Sequence, residues 1–494
     1  MKKYITVLMS LLILSNPIVS IASQPIGYSG GVYNEFQYEE IVFISGEPIK
    51  FVGEVEVDED EDKEEGIKTL EYEFELLPED RGIEGELNRE VSLIIQYEDR
   101  NDKGQIISTT ILDDYDEEIT IENMEYELYD YQLSHSDVID NRPASDFYSG
   151  NIIGRKYYTI NEDMGEVIVD INGGSVGYEN FWGNTDTQVI DYTIQSKMFG
   201  SDDNRWLGSI KANISDSVTK ELRYSDNQAT LSSFNGGYIK VTNREVVSSY
   251  YYDLPKISKG NISNNKRIKD DIKLSNDMNP KIERLIVPKF RDLNGHWAES
   301  YIEKLYSLDI FEEHSRFFSP DIPITRKEFT KAVMRASDIR VEEKEEDNRR
   351  RRDEIKEESS FIDISTEDDD YKYLKSAYKK GIIKGVPPFL FHPERPLTRS
   401  EAITILIRAL GFENRAPNPG YITSFTDDRD IPVWARDSIY VANEIGLITG
   451  DGNNKVLPNK KMTRAEASTM IVRFLEFLEN DLQKDYRERV MLFN

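Results

Sequence analysis

The N-terminal half of the chain alternates apolar and polar residues with a period of two. Leu70, Tyr72, Phe74 and Leu76, for example, are separated from one another by glutamates. Such alternation sends successive side chains to opposite faces of a strand, so it predicts β-structure with one packed face and one wet face. Similar runs, separated by turns rich in Gly, Asn and Asp, occur at 91–97, 105–112, 165–171 and 238–247. We therefore predict an antiparallel all-β, sandwich-like domain over residues 23–253.

The pattern changes in the second half of the chain. Residues 254–285 are rich in Lys, Asn and Ser with little periodicity, which predicts a linker. From residue 286 onward the apolar residues follow helical spacing, which predicts a second, α-helical region that ends in a helical tail at 476–494. No stretch after the first 22 residues approaches the roughly 18 apolar residues of a membrane-spanning helix.

Residues 1–22 have the features of a secretion signal. Lys2 and Lys3 give a positive start, residues 5–14 are mostly apolar, and Ser20 and Ala22 supply small residues before a cleavage site. The alternative is a buried N-terminal helix. The signal predicts an exported chain with no membrane span after cleavage, either released or held at the surface by binding.

Charge is distributed unevenly along the 494 residues, whose formal net charge is −31. Residues 23–253 carry 50 acidic and 17 basic side chains, whereas residues 254–494 carry 42 of each. This balance argues against nucleic acid as a partner, because binding to phosphates relies on a basic surface. The chain has no cysteine, which excludes disulfides, thiolate metal sites and cysteine nucleophiles.

The helical half contains an internal repeat. Each copy opens with an aromatic residue followed two positions later by aspartate, and each closes with Thr-Arg-x-Glu. The first and third copies share a Trp-Ala pair, and the second and third share a Gly-x-x-x-Gly segment. The recurring residues are Asp292, Asp363 and Asp427, Trp297 and Trp434, Gly381 with Gly385, Gly446 with Gly450, and the closing motifs at 325–328, 398–401 and 463–466.

These spaced elements resemble three tandem S-layer homology repeats, at 286–337, 361–412 and 421–475. The resemblance implies a pseudo-threefold helical unit that binds secondary cell-wall polysaccharide, or another peptidoglycan-associated polymer, noncovalently. In that family the ligand is typically a pyruvylated glycan. The resemblance therefore implies a secreted protein of the bacterial cell wall or surface layer, with neighbouring envelope proteins as further partners.

The closing motif has two interpretations. Threonine followed three residues later by glutamate is a capping box, which assigns helix capping to Thr325, Glu328, Thr398, Glu401, Thr463 and Glu466. Capping leaves the intervening arginine unexplained. A guanidinium beside a helix N-terminus suits a carboxylate such as that of a pyruvate ketal, so we predict that Arg326, Arg399 and Arg464 face the glycan. The alternative is a solvated, structural role for these arginines.

The glycines divide into two pairs. Gly381 and Gly446 are predicted to end a helix in the left-handed conformation. Gly385 and Gly450, four residues later, are predicted to let the backbone approach a ligand closely.

Trp297 and Trp434 have two interpretations as well, and packing in the core is favoured over stacking on a sugar. Asp292, Asp363 and Asp427 are candidate glycan ligands, with local caps and turns as the favoured alternative.

The three repeats differ in these candidate site residues. Repeat one has acidic residues, Asp309 and Glu313, where the others have glycine, and repeat two has Tyr371 near the tryptophan position. We therefore expect the site of repeat three to bind most tightly, followed by that of repeat two and then that of repeat one.

Three charged segments have ordinary explanations. Residues 338–360 hold 17 charged side chains in 23, which predicts a solvated helical extension or flexible loop, with a partner site as the alternative. The acidic runs 58–62 and 113–118 are predicted to be solvated loops, with calcium binding as the alternative, although neither has EF-hand spacing. No metal or cofactor is therefore predicted.

A search for catalytic residues finds one motif. Residues 173–177 match the G-x-S-x-G elbow around Ser175, but the residues that follow suggest a turn instead of a helix, and His135 precedes the serine. We predict a non-enzymatic surface protein whose β domain is a structural or adhesive module. The alternative is an anchored extracellular enzyme that acts on polysaccharide, since the sequence does not show which carboxylates face each other.

Overall fold

The structure is a computed structural model, and it describes residues 37–62, 66–100, 105–200, 205–225, 237–258, 261–277, 279–312, 315–337, 359–386, 389–417 and 421–482. The predicted signal at 1–22, Glu313, nearly all of the 338–360 insertion and residues 483–494 of the predicted tail lie outside these ranges.

Within these ranges, thirteen strands form one antiparallel sheet, in which β1 to β12 pair in the order of the sequence and β13 pairs with β11. The strands are β1 (Gln37–Val42), β2 (Ile49–Asp62), β3 (Ile67–Pro78), β4 (Gly85–Arg100), β5 (Gln105–Ile121), β6 (Met124–Arg142), β7 (Ser145–Ile160), β8 (Gly165–Asn180), β9 (Gly183–Met198), β10 (Arg205–Ser225), β11 (Gly237–Ser258), β12 (Asn261–Asp277) and β13 (Lys281–Leu285).

The sheet curls around its own apolar core. Alternate residues such as Phe51 and Ile95 are fully buried on the inner face. Phe43, just after β1, contacts Tyr250 and Tyr252 of β11 with ring centroids 5.8 Å apart. The antiparallel all-β prediction is confirmed, but the sandwich-like arrangement is wrong. Long, twisted strands joined in sequence let a single sheet cover one core without a second layer.

The predicted linker at 254–285 forms β-structure instead. Strand β11 runs on to Ser258, and β12 pairs with it over most of its length, as at Tyr250 and Ile272. Strand β12 contains few apolar residues, and Leu274 is buried while most of its neighbours are exposed. A strand at the margin of a sheet packs little apolar surface, so its sequence carries almost no periodic signal.

Each repeat contributes two helices to a shared apolar core. The helices are α1 (Glu299–Ser307), α2 (Arg326–Ala336), α3 (Tyr371–Lys379), α4 (Arg399–Ala409), α5 (Arg436–Glu444) and α6 (Arg464–Glu476), with a π-helical turn at Phe477–Asp481. All three predicted capping boxes are present, at the N-termini of α2, α4 and α6. Within the described ranges, no helix is both long and apolar enough to cross a membrane.

The segments that lead into the second helix of each repeat meet one another. The backbone N–H of Ile324 donates to the carbonyl of Met462, that of Met462 to Leu397, and that of Leu397 to Ile324, each at 3.0 Å. This closed ring of three hydrogen bonds sets the N-terminus of each second helix beside a different repeat.

The hairpin turns at one end of the sheet pack on the helices. Ala144 and Trp182 are buried in the same apolar cluster as the repeats. The guanidinium of Arg142 lies over the ring of Phe412 at 5.7 Å, and the amide of Asn180 donates to the carbonyl of Leu478 at 3.3 Å. The sheet and the repeats therefore share part of their cores.

Candidate functional site

The three aspartates that open the repeats form hydrogen bonds with the loop before each Thr-Arg motif. Each carboxylate accepts two consecutive backbone N–H groups, from Phe318 and Ser319 to Asp292 and from equivalent positions to the other two. Partial burial acts to raise the pKa of Asp292 and Asp363, whereas these hydrogen bonds act to lower it. The hydrogen bonds have the larger effect, and both pKa values lie below the ordinary range. This geometry favours the turn-forming alternative over direct glycan contact.

The glycine pairs serve the fold. Gly381 and Gly446 have φ of 72° and 76°, which confirms the predicted left-handed helix ends, and Asp309 takes the same conformation in repeat one. A Cβ at Gly450 would lie 2.6 Å from the side-chain oxygen of Asn454, and one at Gly385 would lie 3.0 Å from the ring of Phe361. The close approach that requires glycine is thus to the chain itself, and not to a ligand as the sequence-based argument supposed.

Both tryptophans are exposed, so the favoured prediction of core packing is wrong. Trp297 is 59% exposed and Trp434 is 55% exposed. The small residues that follow them, Ala298 and Ala435, are fully buried and take the inward position at the start of the first helix. The larger indole rings are left on the surface, where one face can stack on a sugar.

The three arginines of the closing motifs lie at the first position of α2, α4 and α6, and two of them are paired within the chain. Arg326 donates to Oε1 of Glu401 at 2.8 Å and to the carbonyl of Lys384 at 2.9 Å. Arg464 donates to Oε1 of Glu328 at 2.9 Å. Both guanidinium groups also lie over phenylalanine rings. Their charges are therefore largely satisfied by the protein.

Arg399 differs from the other two. Among the residues that the structure describes, its guanidinium makes no hydrogen bond or ion pair. Its Nε is buried, as are those of Arg326 and Arg464, so the difference lies at the terminal nitrogens. Burial lowers its pKa, but arginine remains charged at neutral pH. Removing a charged donor from water without a partner costs free energy, which a bound anion would restore.

Arg399 lines a groove of about 280 Å³. Trp297 of repeat one and Gly450 of repeat three line the same groove, so all three repeats contribute to it. Four cationic side chains, Arg399, Lys455, Lys460 and Arg473, outnumber its two acidic ones, Asp451 and Glu466. The groove is therefore suited to an anionic ligand with an apolar sugar face.

The sites cross the repeat boundaries. Sequence reasoning grouped each arginine with the glycines of its own repeat, whereas the structure sets Arg326 beside Lys384 of repeat two and Arg399 beside Gly450 of repeat three. Arg464 lies over Phe318 of repeat one at 4.5 Å. The expected ranking of the sites grouped each arginine with the glycines of its own repeat, and the order of binding stays a prediction.

Part of the negative charge of repeat one is neutralised by ion pairs within the repeat. Glu312 forms ion pairs with Lys331 and Arg335, and the latter also donates to the carbonyl of Asp309. The sequence offered no sign of these pairs because their members are about twenty residues apart.

The serine motif of the sheet forms no hydrolase elbow. Ser175 lies within strand β8, which continues to Asn180, so the turn expected after it is absent. Its hydroxyl donates to Oδ1 of buried Asp137 at 2.5 Å, while Nε2 of His135 is 3.2 Å from the other oxygen of that carboxylate. The histidine therefore approaches the aspartate and not the serine.

The two acidic runs are not loops. Residues 58–62 belong to β2 and residues 113–118 belong to β5. In the described part of the chain, no three His, Asp or Glu side chains are arranged to hold a metal ion.

Comparison with known proteins bears on the repeats. The family model for the S-layer homology domain matches residues 289–330, 360–403 and 424–468. The chain is 32% identical over 190 residues, 38% of its length, to an amylopullulanase of Thermoanaerobacterium thermosulfurigenes, and covers 9% of that protein. It is 35% identical over 96 residues, 19% of its length, to a cellulosome-anchoring protein of Acetivibrio thermocellus, and covers 21% of it. It is 29% identical over 120 residues, 24% of its length, to the surface-layer 125 kDa protein of Lysinibacillus sphaericus, and covers 10% of it.

Proposed function

We propose, from the premise that this is a cell-wall-associated surface protein with three S-layer homology domains, that the Arg399 groove binds an anionic wall polysaccharide and so anchors the chain. The observation that carries the proposal is the guanidinium of Arg399, which has no partner among the described residues and lies in a groove with excess positive charge. A pyruvate ketal on the polysaccharide supplies a carboxylate that accepts two parallel N–H bonds from such a group.

The rest of the groove supports a sugar ligand. Trp297 is 59% exposed and lines the groove, and a sugar ring can pack its C–H face on an indole. The pseudo-threefold arrangement of the repeats belongs to the same proposal. It is supported by the closed ring of hydrogen bonds through Ile324, Leu397 and Met462 and by the three matching capping boxes.

The β domain has a display role in this proposal, as a structural or adhesive module without catalysis. Its candidate nucleophile Ser175 is buried and hydrogen-bonded to Asp137, which is 1% exposed. Incubation of the full chain with cell-wall and plant polysaccharides should release no reducing sugar. Sustained turnover would replace the display role with an anchored enzyme.

The anchoring proposal is tested by calorimetry on the full chain with two synthetic glycosides. One is the 4,6-pyruvate ketal of a methyl N-acetylhexosaminide, and the other is the matched isopropylidene ketal, in which a methyl group replaces the carboxylate. We expect binding of the first and at least tenfold weaker binding of the second, because a charge-assisted pair is worth about 1.5–3 kcal/mol. Equal affinities, or no binding of the pyruvate ketal, would refute the proposal.

A further inference from the structure

The glutamates of the three capping boxes use their two oxygens in the same way. Oε2 of Glu328, Glu401 and Glu466 accepts the backbone N–H of the threonine three residues before it, at 2.9, 3.0 and 3.2 Å. Oε1 of each faces away from the cap and accepts a cationic side chain. The three sites differ in which cationic side chain this is.

In two sites, the cation is the arginine of another repeat. Arg464 pairs with Glu328, and Arg326 pairs with Glu401, which Arg395 also contacts. In the third, the cation is Lys460, whose ammonium lies 2.5 Å from Oε1 of Glu466. Between Glu466 and Arg399 there is a Coulombic attraction but no hydrogen bond.

The residue four positions before each arginine accounts for part of this difference. Lys460, Arg395 and Ile322 occupy this position in repeats three, two and one. Isoleucine at 322 offers no competing cation, and Glu328 pairs with Arg464. Lysine at 460 pairs with Glu466, and Arg399 is left without a partner among the described residues.

We propose that Lys460 holds Glu466 away from Arg399 and thereby keeps Arg399, of the three arginines, free for a carboxylate ligand. The inference rests on the proposed function of the groove. At the other two arginines a carboxylate of the protein already occupies the guanidinium and repels a second anion. Lys460 is thus a positioning residue, and each chain binds one acidic sugar residue through these arginines.

The test uses the full chain and the pyruvate-ketal glycoside in calorimetry. Lys460→Ile copies repeat one, and we expect Kd to rise about tenfold because Glu466 turns to Arg399. In Lys460→Ile/Glu466→Gln the competing charge is removed while the glutamine still caps the helix, so Kd should return to within about threefold of the parent value. The parent chain should bind one glycoside per chain.

Arg395→Ile is the matched control, since Arg326 remains to pair with Glu401, and its Kd should stay at the parent value. Thermal unfolding of every variant shows whether the folded fraction is unchanged, and Lys460→Gln serves in place of Lys460→Ile if the latter is unfolded. An unchanged Kd in the lysine variant, a double variant as weak as the single one, or three sites per chain would overturn the inference. Failure of the parent chain to bind the glycoside would instead refute the proposed function.

Discussion

The interior of the sheet and the groove of the repeats each contain a partly buried arginine, in opposite circumstances. Arg89 makes two hydrogen bonds of 2.9 Å to Glu40, and its Nε donates to Glu117 at 3.1 Å. Arg399 has no such partner among the described residues. A charge that has hydrogen-bonding partners inside the protein contributes to the stability of the fold. A charge without such partners favours the binding of a ligand.

The cluster around Arg89 is neutral as a whole. Glu117 also accepts from Lys156 at 2.9 Å and from Tyr158 at 3.1 Å. Burial by itself raises the pKa of Glu117, but Arg89 and Lys156 outweigh it and hold this pKa far below the ordinary value. Two carboxylates and two cations therefore balance around a cavity of about 160 Å³ inside the sheet. A further anion would gain little there.

The largest expected effect is a loss of stability on removing Arg89 from its cluster of ion pairs. Arg89→Met leaves Glu40 and Glu117 buried with one cation fewer, so unfolding of the sheet should require about 3–5 kcal/mol less. Urea denaturation followed by circular dichroism measures this loss. Arg155→Met, which removes an exposed pair with Asp170, is the control and should cost far less, because exposed ion pairs contribute little to stability. A loss no larger than that of the control would show that the cluster does not stabilise the sheet.

A smaller effect, on binding instead of stability, is expected at the groove. Arg399→Gln should weaken binding of the pyruvate-ketal glycoside by about 1.5–3 kcal/mol, because a bidentate, charge-assisted contact is lost. Its unfolding free energy should change by about 0.5 kcal/mol or less, since no partner is orphaned. Arg326→Gln is the control and should show the reverse pattern, since Glu401 loses a partner. A larger loss of binding in Arg326→Gln than in Arg399→Gln would contradict the assignment of Arg399 as the ligand-binding arginine.

The third effect is the smallest when expressed per pH unit, and it concerns a buried carboxyl that forms no ion pair among the described residues. Burial, together with the nearby Asp137 and Asp216, raises the pKa of Asp186 to about 7. The folded chain then keeps a proton that the unfolded chain loses above its ordinary pKa near 3.9. Stability should therefore fall by up to about 1.4 kcal/mol per pH unit between about pH 4 and pH 7 and level off above that range.

Denaturation of Asp186→Asn at several pH values measures this contribution, and the variant should lose that part of the decline. Asp191→Asn, an exposed position on the same strand, is the control and should follow the parent chain. Identical pH profiles for the parent chain and Asp186→Asn would contradict the assigned role of burial.

Much of the local structure could be predicted from the sequence because its causes are local. The capping boxes, as at Thr325 and Glu328, involve residues three apart, and the left-handed glycines, such as Gly446, end helices whose period is visible in the sequence. Alternation likewise predicted which strand residues, such as Phe74, would be buried. The recurrence of spaced motifs predicted three repeats, and the family model matches all three.

The tertiary structure alone decided how these elements meet. A period of two marks the faces of a strand but not whether the sheet pairs with a second layer or curls on itself, so the sandwich prediction failed. The partners of Arg326 and Arg464 lie 75 and 136 residues away, and no local pattern joins them. Arg399 has the same sequence motif as both, but the glutamate of the neighbouring cap, Glu466, pairs with Lys460 instead. The sequence by itself determined where helices, strands and caps form, since those follow from neighbouring residues. Which arginine stays free was decided by side chains that only the packing of the repeats brings together.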